Sequence, residues 1–284
     1  MNYRHRYHAG GFHDVLKHTV LALLIEALKR KDTPFCALDT HAGIGLYDLR
    51  DEAAEKTGEA ADGVLRLAGQ VLPFELGPYW AAVKSVNQRV KAGALRWYPG
   101  SPRLLRALMR EGDRLLLAEL HPEDAATLRA EFAGEPGVTV REMDGYTALK
   151  ALLPPEERRG VVLIDPPFEA KDEFVQLQRG LADAWRRWPT GVYAIWYPIK
   201  GCAPVDAFHA FLKQHAPAET FAAELRIHDG YSEAHLNGCG MAVVNPPWKV
   251  DEQVANVLPF LHRTLARSGG GSELNWLVRE KDRA

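Results

Sequence analysis

Along most of the chain, short runs of branched and aromatic residues alternate with longer stretches whose apolar positions recur at helical spacing. Residues 13–31, HDVLKHTVLALLIEALKRK, predict an amphipathic helix, and PFCALD (34–39) after it reads as a buried strand. RLLLAEL (114–120) is a second strand, followed by helix 122–133, strand VTVREMD (138–144), helix 146–153, strand GVVLID (160–165), helix 170–187, strand GVYAIWYP (191–198) and helix 204–215. Two further strands, TFAAELRIH and GMAVVNP, are joined by about a dozen polar and glycine-rich residues with no helix between them, which makes them antiparallel neighbours. A helix over 251–267 comes next, and NWLV (275–278) suits a short edge strand.

Strands that alternate with helices of this length bury both faces of a mostly parallel sheet. The expected fold is therefore α/β: an open, Rossmann-like sheet of seven strands, the last antiparallel. The rhythm breaks over residues 48–98, which carry no convincing strand and two helix-like halves joined at Pro73 and around Gly77 and Pro78. We expect a small helical insertion there, with the main domain formed by residues 1–47 and 99–284 and an N-terminal arm over about 1–14.

Composition narrows the classes of function. With 284 residues, 46% hydrophobic and 25% charged, the chain is long enough for a sizeable core. Its most apolar helical stretch contains Glu26 and ends in basic residues, too short and too broken to cross a bilayer. The N-terminus is polar, and Cys36, Cys202 and Cys239 have no paired spacing, so a cytoplasmic protein with reduced thiols is expected. A formal charge of −2 gives no global pull on nucleic acid, so any such binding must be local. Two basic clusters stand out: Arg4, Arg6, Lys17, Lys29, Arg30 and Lys31 near the N-terminus, and the row Arg103, Arg106, Arg110 and Arg114. That row is either a solvated helix face or a set of phosphate contacts. The N-terminal histidines lack the carboxylate or cysteine spacing of a metal site, and no metal is expected.

In an open α/β sheet the ligand sits beyond the carboxyl ends of the strands. Four consecutive strands end there on an acid: Asp39, Glu119, Asp144 and Asp165. Gly43 and Gly45 in DTHAGIG let the backbone approach a ligand, yet a dinucleotide fingerprint from Gly43 requires glycine where Asp48 stands. Carboxylates accept hydrogen bonds from an ammonium and from ribose hydroxyls and repel a pyrophosphate, so S-adenosylmethionine fits better than NAD. Asp165 begins the run DPPF. A carboxylate and the Pro166 carbonyl, accepting the two N–H bonds of a nucleobase amine, draw its lone pair out of the ring toward a methyl donor. Pro166 and Pro167 fix their own φ and offer no N–H, and Phe168 supplies a stacking plane for a flipped base. The similar run Asn245, Pro246, Pro247 and Trp248 ends the last strand, away from the cofactor loop, and is expected to be structural, with Trp248 packing the final helix.

At the level of motifs, DPPF with DTHAGIG looks like the catalytic and cofactor motifs of amino-methyltransferases. Together with YRHRYHAGGFHDVLKH, LDTHAG, YPGSP, ELHP, DG and IDPPF, they make the chain closely resemble the RlmJ family of 23S rRNA adenine-N6 methyltransferases over essentially its whole length. The resemblance implies a monomeric enzyme that uses S-adenosylmethionine to methylate N6 of one adenine in 23S rRNA. It places cofactor contacts on His18, His41, Ser101, Glu119, Asp144 and Gly145, beside Asp39 and Gly43 of the first loop; Ser101 also suits the N-cap of a helix starting at Pro102. Asp165 with Pro166 and Phe168 becomes the catalytic set, and Tyr3, Arg4, Arg6 and Phe168 meet the substrate. Many adenine-N6 enzymes have tyrosine where Phe168 stands, so the plane is kept and the hydroxyl lost. The rivals are methylation of another amine (DNA adenine, guanine N2 or a protein glutamine), an NAD-dependent oxidoreductase, and a non-catalytic RNA-binding protein of the same fold.

Overall fold

The computed structural model describes residues 7–91, 94–230 and 236–280, except the side chains of Ala53 and Glu55. Helix α1 (Phe12–Lys29) leads into β1 (Cys36–Asp39), and β2 (Leu46–Asp48) opens the segment expected as an insertion. That segment holds α2 (Glu52–Thr57), α3 (Glu59–Asp62), two short 3₁₀ turns and α4 (Gly77–Ser85), and closes on β3 (Trp97–Pro99). Strands β2 and β3 pair antiparallel, Tyr47 opposite Tyr98, and Arg96 ties the ribbon end to Asp48 at 2.8 Å. Thereafter the chain alternates: α5 (Ser101–Leu108), β4 (Arg114–Glu119), α6 (Pro122–Glu131), β5 (Val138–Glu142), α7 (Gly145–Ala151), β6 (Gly160–Ile164), α8 (Glu173–Arg187), β7 (Val192–Ile199) and α9 (Cys202–His215). It ends with β8 (Thr220–Arg226), β9 (Gly238–Val244), α10 (Val250–Leu265) and β10 (Gly271–Val278).

The large sheet runs β10-β8-β9-β7-β6-β1-β4-β5. Strands β5, β4, β1, β6 and β7 are parallel, β9 inserts antiparallel between β7 and β8, and the order reverses at β1. The sheet has eight strands, not seven, because the C-terminal run is a full strand that pairs antiparallel with β8 from Gly271 to Val278. This is the expected open, Rossmann-like α/β sheet with one added edge strand.

Side-chain alternation divides the core. Ala37, Leu115, Leu117, Val161 and Leu163 face α1, α5 and α10, while Leu38, Leu116, Val162 and Ile164 face α7, α8 and α9. Helix α1 departs from the amphipathic pattern: every residue except Glu26 and Lys29 is buried. It lies between the sheet and a second layer, since α4, α5 and α10 pack on its far side, and a helix covered all round keeps no solvent face. Val64, Leu67, Leu76, Tyr79 and Val83 of the 48–98 segment belong to the same apolar cluster as α1, so this segment adds a layer to the main core and builds none of its own.

The arginine row does not lie along one helix. Helix α5 stops at Leu108 because Met109 turns extended, which carries Arg110 and Arg114 into the next turn and strand. Each arginine meets an acid: Arg103 with Glu131 and Glu135, Arg106 with Glu135 at 3.1 Å, Arg110 with Asp113 at 3.0 Å and Arg114 with Glu157 at 2.8 Å. The row is therefore an intramolecular ion-pair system.

Candidate active site

A cleft of about 1320 Å³ opens over the carboxyl ends of β1, β4, β6 and β7, where the fold places its switch point. Its first wall is the turn after β1. Asp39 is fully buried, its carboxylate accepting from the His41 backbone N–H at 3.2 Å. Burial pushes its carboxyl up to about 6, against the lowering effect of the Ser101 hydroxyl beside it. Burial holds the His41 imidazole down at about 4, and its Nδ1 meets the Thr40 hydroxyl at 2.8 Å. At physiological pH His41 is thus neutral.

Gly43 has φ +62, and a Cβ there would lie 2.3 Å from the Tyr47 hydroxyl. Its N–H donates to Glu119 at 2.8 Å, while the other Glu119 oxygen accepts from the His121 N–H at 2.8 Å. The loop and the end of β4 are therefore locked together, with a bare backbone and a buried carboxylate facing the cleft. That cradle presents oxygen acceptors to a ligand that offers N–H and O–H donors.

Across the cleft stands the loop after β6. Asp165 is partly buried and Pro166 buried, while Phe168 adopts φ +50, an uncommon backbone state for an aromatic residue. The surroundings hold Phe168 there: its ring meets Phe174 at 4.8 Å and Trp196 at 5.8 Å. Trp196 also lines the cleft, against His13 at 6.2 Å. One Asp165 oxygen, Oδ2, accepts a short hydrogen bond from Lys17 of α1. Lys17 is itself buried and bridges to Asp14 at 2.8 Å. Burial works against its charge, but the two carboxylates together hold the ammonium well above the usual lysine value.

Of the residues singled out from sequence, His41, Gly43, Ser101, Glu119, Asp165, Pro166 and Phe168 line this one cleft, with Asp39 beneath it. Three lie behind the lining. His18 is buried under the β2–β3 ribbon, its Nδ1 2.8 Å from the Tyr98 hydroxyl and its ring stacked on that tyrosine at 5.5 Å. Asp144 caps α7, accepting from the Thr147 N–H at 2.7 Å. Gly145 lets that helix start against the Thr40 carbonyl and the His41 ring, where a Cβ would sit 2.5 Å and 2.6 Å away. Tyr3, Arg4 and Arg6 lie outside the described residues.

Two expectations need correction. Ser101 is already the first residue of α5, capped by Gly100 without a side-chain bond, and its hydroxyl faces Asp39 instead of capping. Trp248 does not pack α10: it is 75% exposed, with the Lys249 ammonium 4.6 Å from its ring centre. Asn245 donates to the Thr190 carbonyl at 2.8 Å, on the sheet edge opposite Asp165 because β9 runs antiparallel to β6 and β7.

Lys17, Asp14, Tyr47 and Trp196 were not legible as site residues. One signal was available for the first two: an acid and a lysine three apart inside the most apolar helix of the chain. Trp196 sits in an apolar run that reads as core, Tyr47 lies just past the glycine turn, and only the packing of the chain brings both to the cleft.

Sheet order, switch point and cleft together define a protein of the class I methyltransferase fold. The family model for ribosomal RNA large subunit methyltransferase D, RlmJ, matches residues 32–278, and the chain belongs to that family. It is 44% identical to ribosomal RNA large subunit methyltransferase J of Escherichia coli and 40% identical to that of Haemophilus influenzae, in each case over 99% of this chain and all of the relative. Among solved structures, protein LPL1258 of Legionella pneumophila superposes with a TM-score of 0.87 at 32% identity, covering 95% of this chain and 98% of that one.

Proposed function

We propose that this protein uses S-adenosylmethionine to methylate the exocyclic N6 of one adenine in 23S rRNA, acting on a base flipped into the DPPF pocket. The observation that carries the reading is the position of Asp165, Pro166 and Phe168 directly across one cleft from the Gly43–Glu119 cradle. S-adenosylmethionine supplies an electrophilic methyl group on a sulfonium. Glu119 accepts from ribose hydroxyls, Asp39 and Ser101 hold the amino-acid end with the Gly43 backbone, and neutral His41 lies beside them. His18, Asp144 and Gly145 act through the groups they support.

On the substrate side, Phe168 and Trp196 hold the adenine plane, stacking being worth roughly 1–3 kcal/mol per base. Lys17 occupies Oδ2 of Asp165, leaving Oδ1 and the Pro166 carbonyl to accept the two amino N–H bonds. With both bonds held, the nitrogen lone pair turns from the ring toward the methyl group, forms the N–C bond as the C–S bond breaks, and the amine sheds one proton to the carboxylate or to water. The N-terminal arm carrying Tyr3, Arg4 and Arg6 covers the substrate, and the protein works as a monomer.

The test is methyl transfer from labelled S-adenosylmethionine to 23S rRNA fragments, with mass mapping of 23S rRNA from cells lacking the protein. One adenine losing its N6-methyl mark is the expected result. Cofactor binding without transfer to rRNA, or transfer to guanine, DNA or protein instead, overturns it.

A further inference from the structure

The cleft has two ends of opposite character. Around the cradle, Glu119, Glu123 and Asp124 line the wall, and Lys17, which also lines the cleft, is paired with Asp14 and Asp165. At the other end, beyond Phe168, the lining carries His8, Lys200, His228 and Arg267. The carboxylates at that end are largely engaged: Glu59 meets His8 at 2.7 Å and His13 at 3.7 Å, and Asp62 pairs with Arg267 and lies 3.9 Å from Arg66. Glu169 adds one further negative charge on the rim. Lys200 is exposed, and no carboxylate among the described residues lies within ion-pair distance of it.

Lys200 is also mounted firmly. It follows the last residue of β7, where the Asn237 N–H donates to the Ile199 carbonyl at 3.2 Å and the Asn237 side chain to the Lys200 carbonyl at 3.4 Å. Trp196 and Pro198 alternate along β7, Lys200 continues the alternation just past its end, and all three line the cleft. From Trp196 to Lys200, four steps along the chain, the backbone climbs about 13 Å, from the ring wall to the rim. That order, aromatic surface below and ammonium above, matches a nucleotide entering base first with its phosphates left at the mouth.

We propose that Lys200, with Arg267 beside it, forms the binding site for the backbone phosphates flanking the extruded nucleotide. The proposal rests on the methyltransferase reading and adds what it lacks, a residue that grips the RNA chain at the pocket mouth. Opposite charge at the two ends also sorts the ligands: a cationic donor goes to the acidic end and a polyanion to the basic one. Arg267 exchanges its partly exposed Asp62 partner for phosphate when RNA arrives.

Equilibrium binding of the full-length protein to a 23S rRNA hairpin containing the target, measured across a salt series with S-adenosylmethionine present, tests this without requiring turnover. Lys200→Gln is expected to weaken RNA binding about 3- to 10-fold and to lower the slope of log affinity against log salt by about 0.7–0.9, one phosphate contact. Lys200→Arg is expected to restore both, and binding of the methyl donor alone reports that each variant is folded. An unchanged slope and affinity in Lys200→Gln, with donor binding intact, overturns the phosphate site. Absence of methyl transfer in the wild-type protein that still binds RNA with the full slope would instead overturn the reading beneath it.

Discussion

At the scale of single residues, the cleft works by setting charge. With Asp165 as the proposed acceptor of the substrate amine, Asp165→Ala is expected to lower the rate of methyl transfer by about 10²–10⁴-fold, the range for loss of a positioned proton acceptor. Asn245→Ala, on the opposite sheet edge, is expected to retain it. The reverse pattern in folded proteins would reassign the chemistry to the second proline pair. Phe168→Ala should cost roughly 1–3 kcal/mol in the transition-state complex through lost stacking, and Phe168→Tyr should recover most of it; equal kcat/KM for Phe168→Ala and wild type would remove the ring from the substrate site.

Asp39 and His41 make a coupled prediction about pH. The Asp39 carboxyl is raised to about 6 by burial, against about 3.9 in an unfolded chain, so the native state keeps a proton that the unfolded state has released. Its contribution to stability therefore falls as pH rises through that window. His41 is lowered to about 4 by burial, against about 6.5 unfolded, so its contribution falls as pH drops from about 6.5 toward 4. The two slopes oppose each other. Asp39→Asn is expected to lose up to about 2 kcal/mol more than wild type on acidification from pH 6.5 to 4.5, the His41 contribution being common to both proteins. Urea unfolding at several pH values reads this directly, and parallel curves for variant and wild type would refute it.

At the scale of elements, α1 does more than fill the core. It is a helix buried on every side that carries Asp14 and Lys17 at i and i+3, and Lys17 reaches from it to the β6 loop. Lys17→Met is expected to destabilise the protein by about 3–5 kcal/mol, because Asp14 is left buried without its ion-pair partner. Thermal unfolding near that of wild type would mean the pair is dispensable to the fold. The helix was legible in the sequence from its apolar spacing, but its full burial was not. Periodicity reports which residues are apolar, and a few polar positions covered by distant segments look the same as a solvent face.

For the whole molecule, the ion pairs of the former arginine row decide a question about RNA. Arg103 and Arg106 are bound to Glu131 and Glu135 of the α6 region. Charge reversal at these two is therefore expected to cost about 1 kcal/mol each in stability while leaving the salt dependence of RNA binding unchanged. A reduced slope would restore them as phosphate contacts. The sheet tells a similar story about what is local. Strand alternation, the antiparallel last strands and the acids at strand ends were all readable, because a strand ending in an acid and a glycine turn is written in consecutive residues.

The sequence by itself determined the class of fold, the glycine turn from Asp39 to Gly43 and the DPPF run, since each follows from residue type and spacing along the chain. Only the tertiary structure decided that Lys17 meets Asp165, that Tyr47 fills the space under Gly43, that Trp248 stands in solvent and that β10 completes an eighth strand. Those facts depend on residues far apart in the chain, and burial of a charge or a ring is fixed by what the remaining segments bring against it.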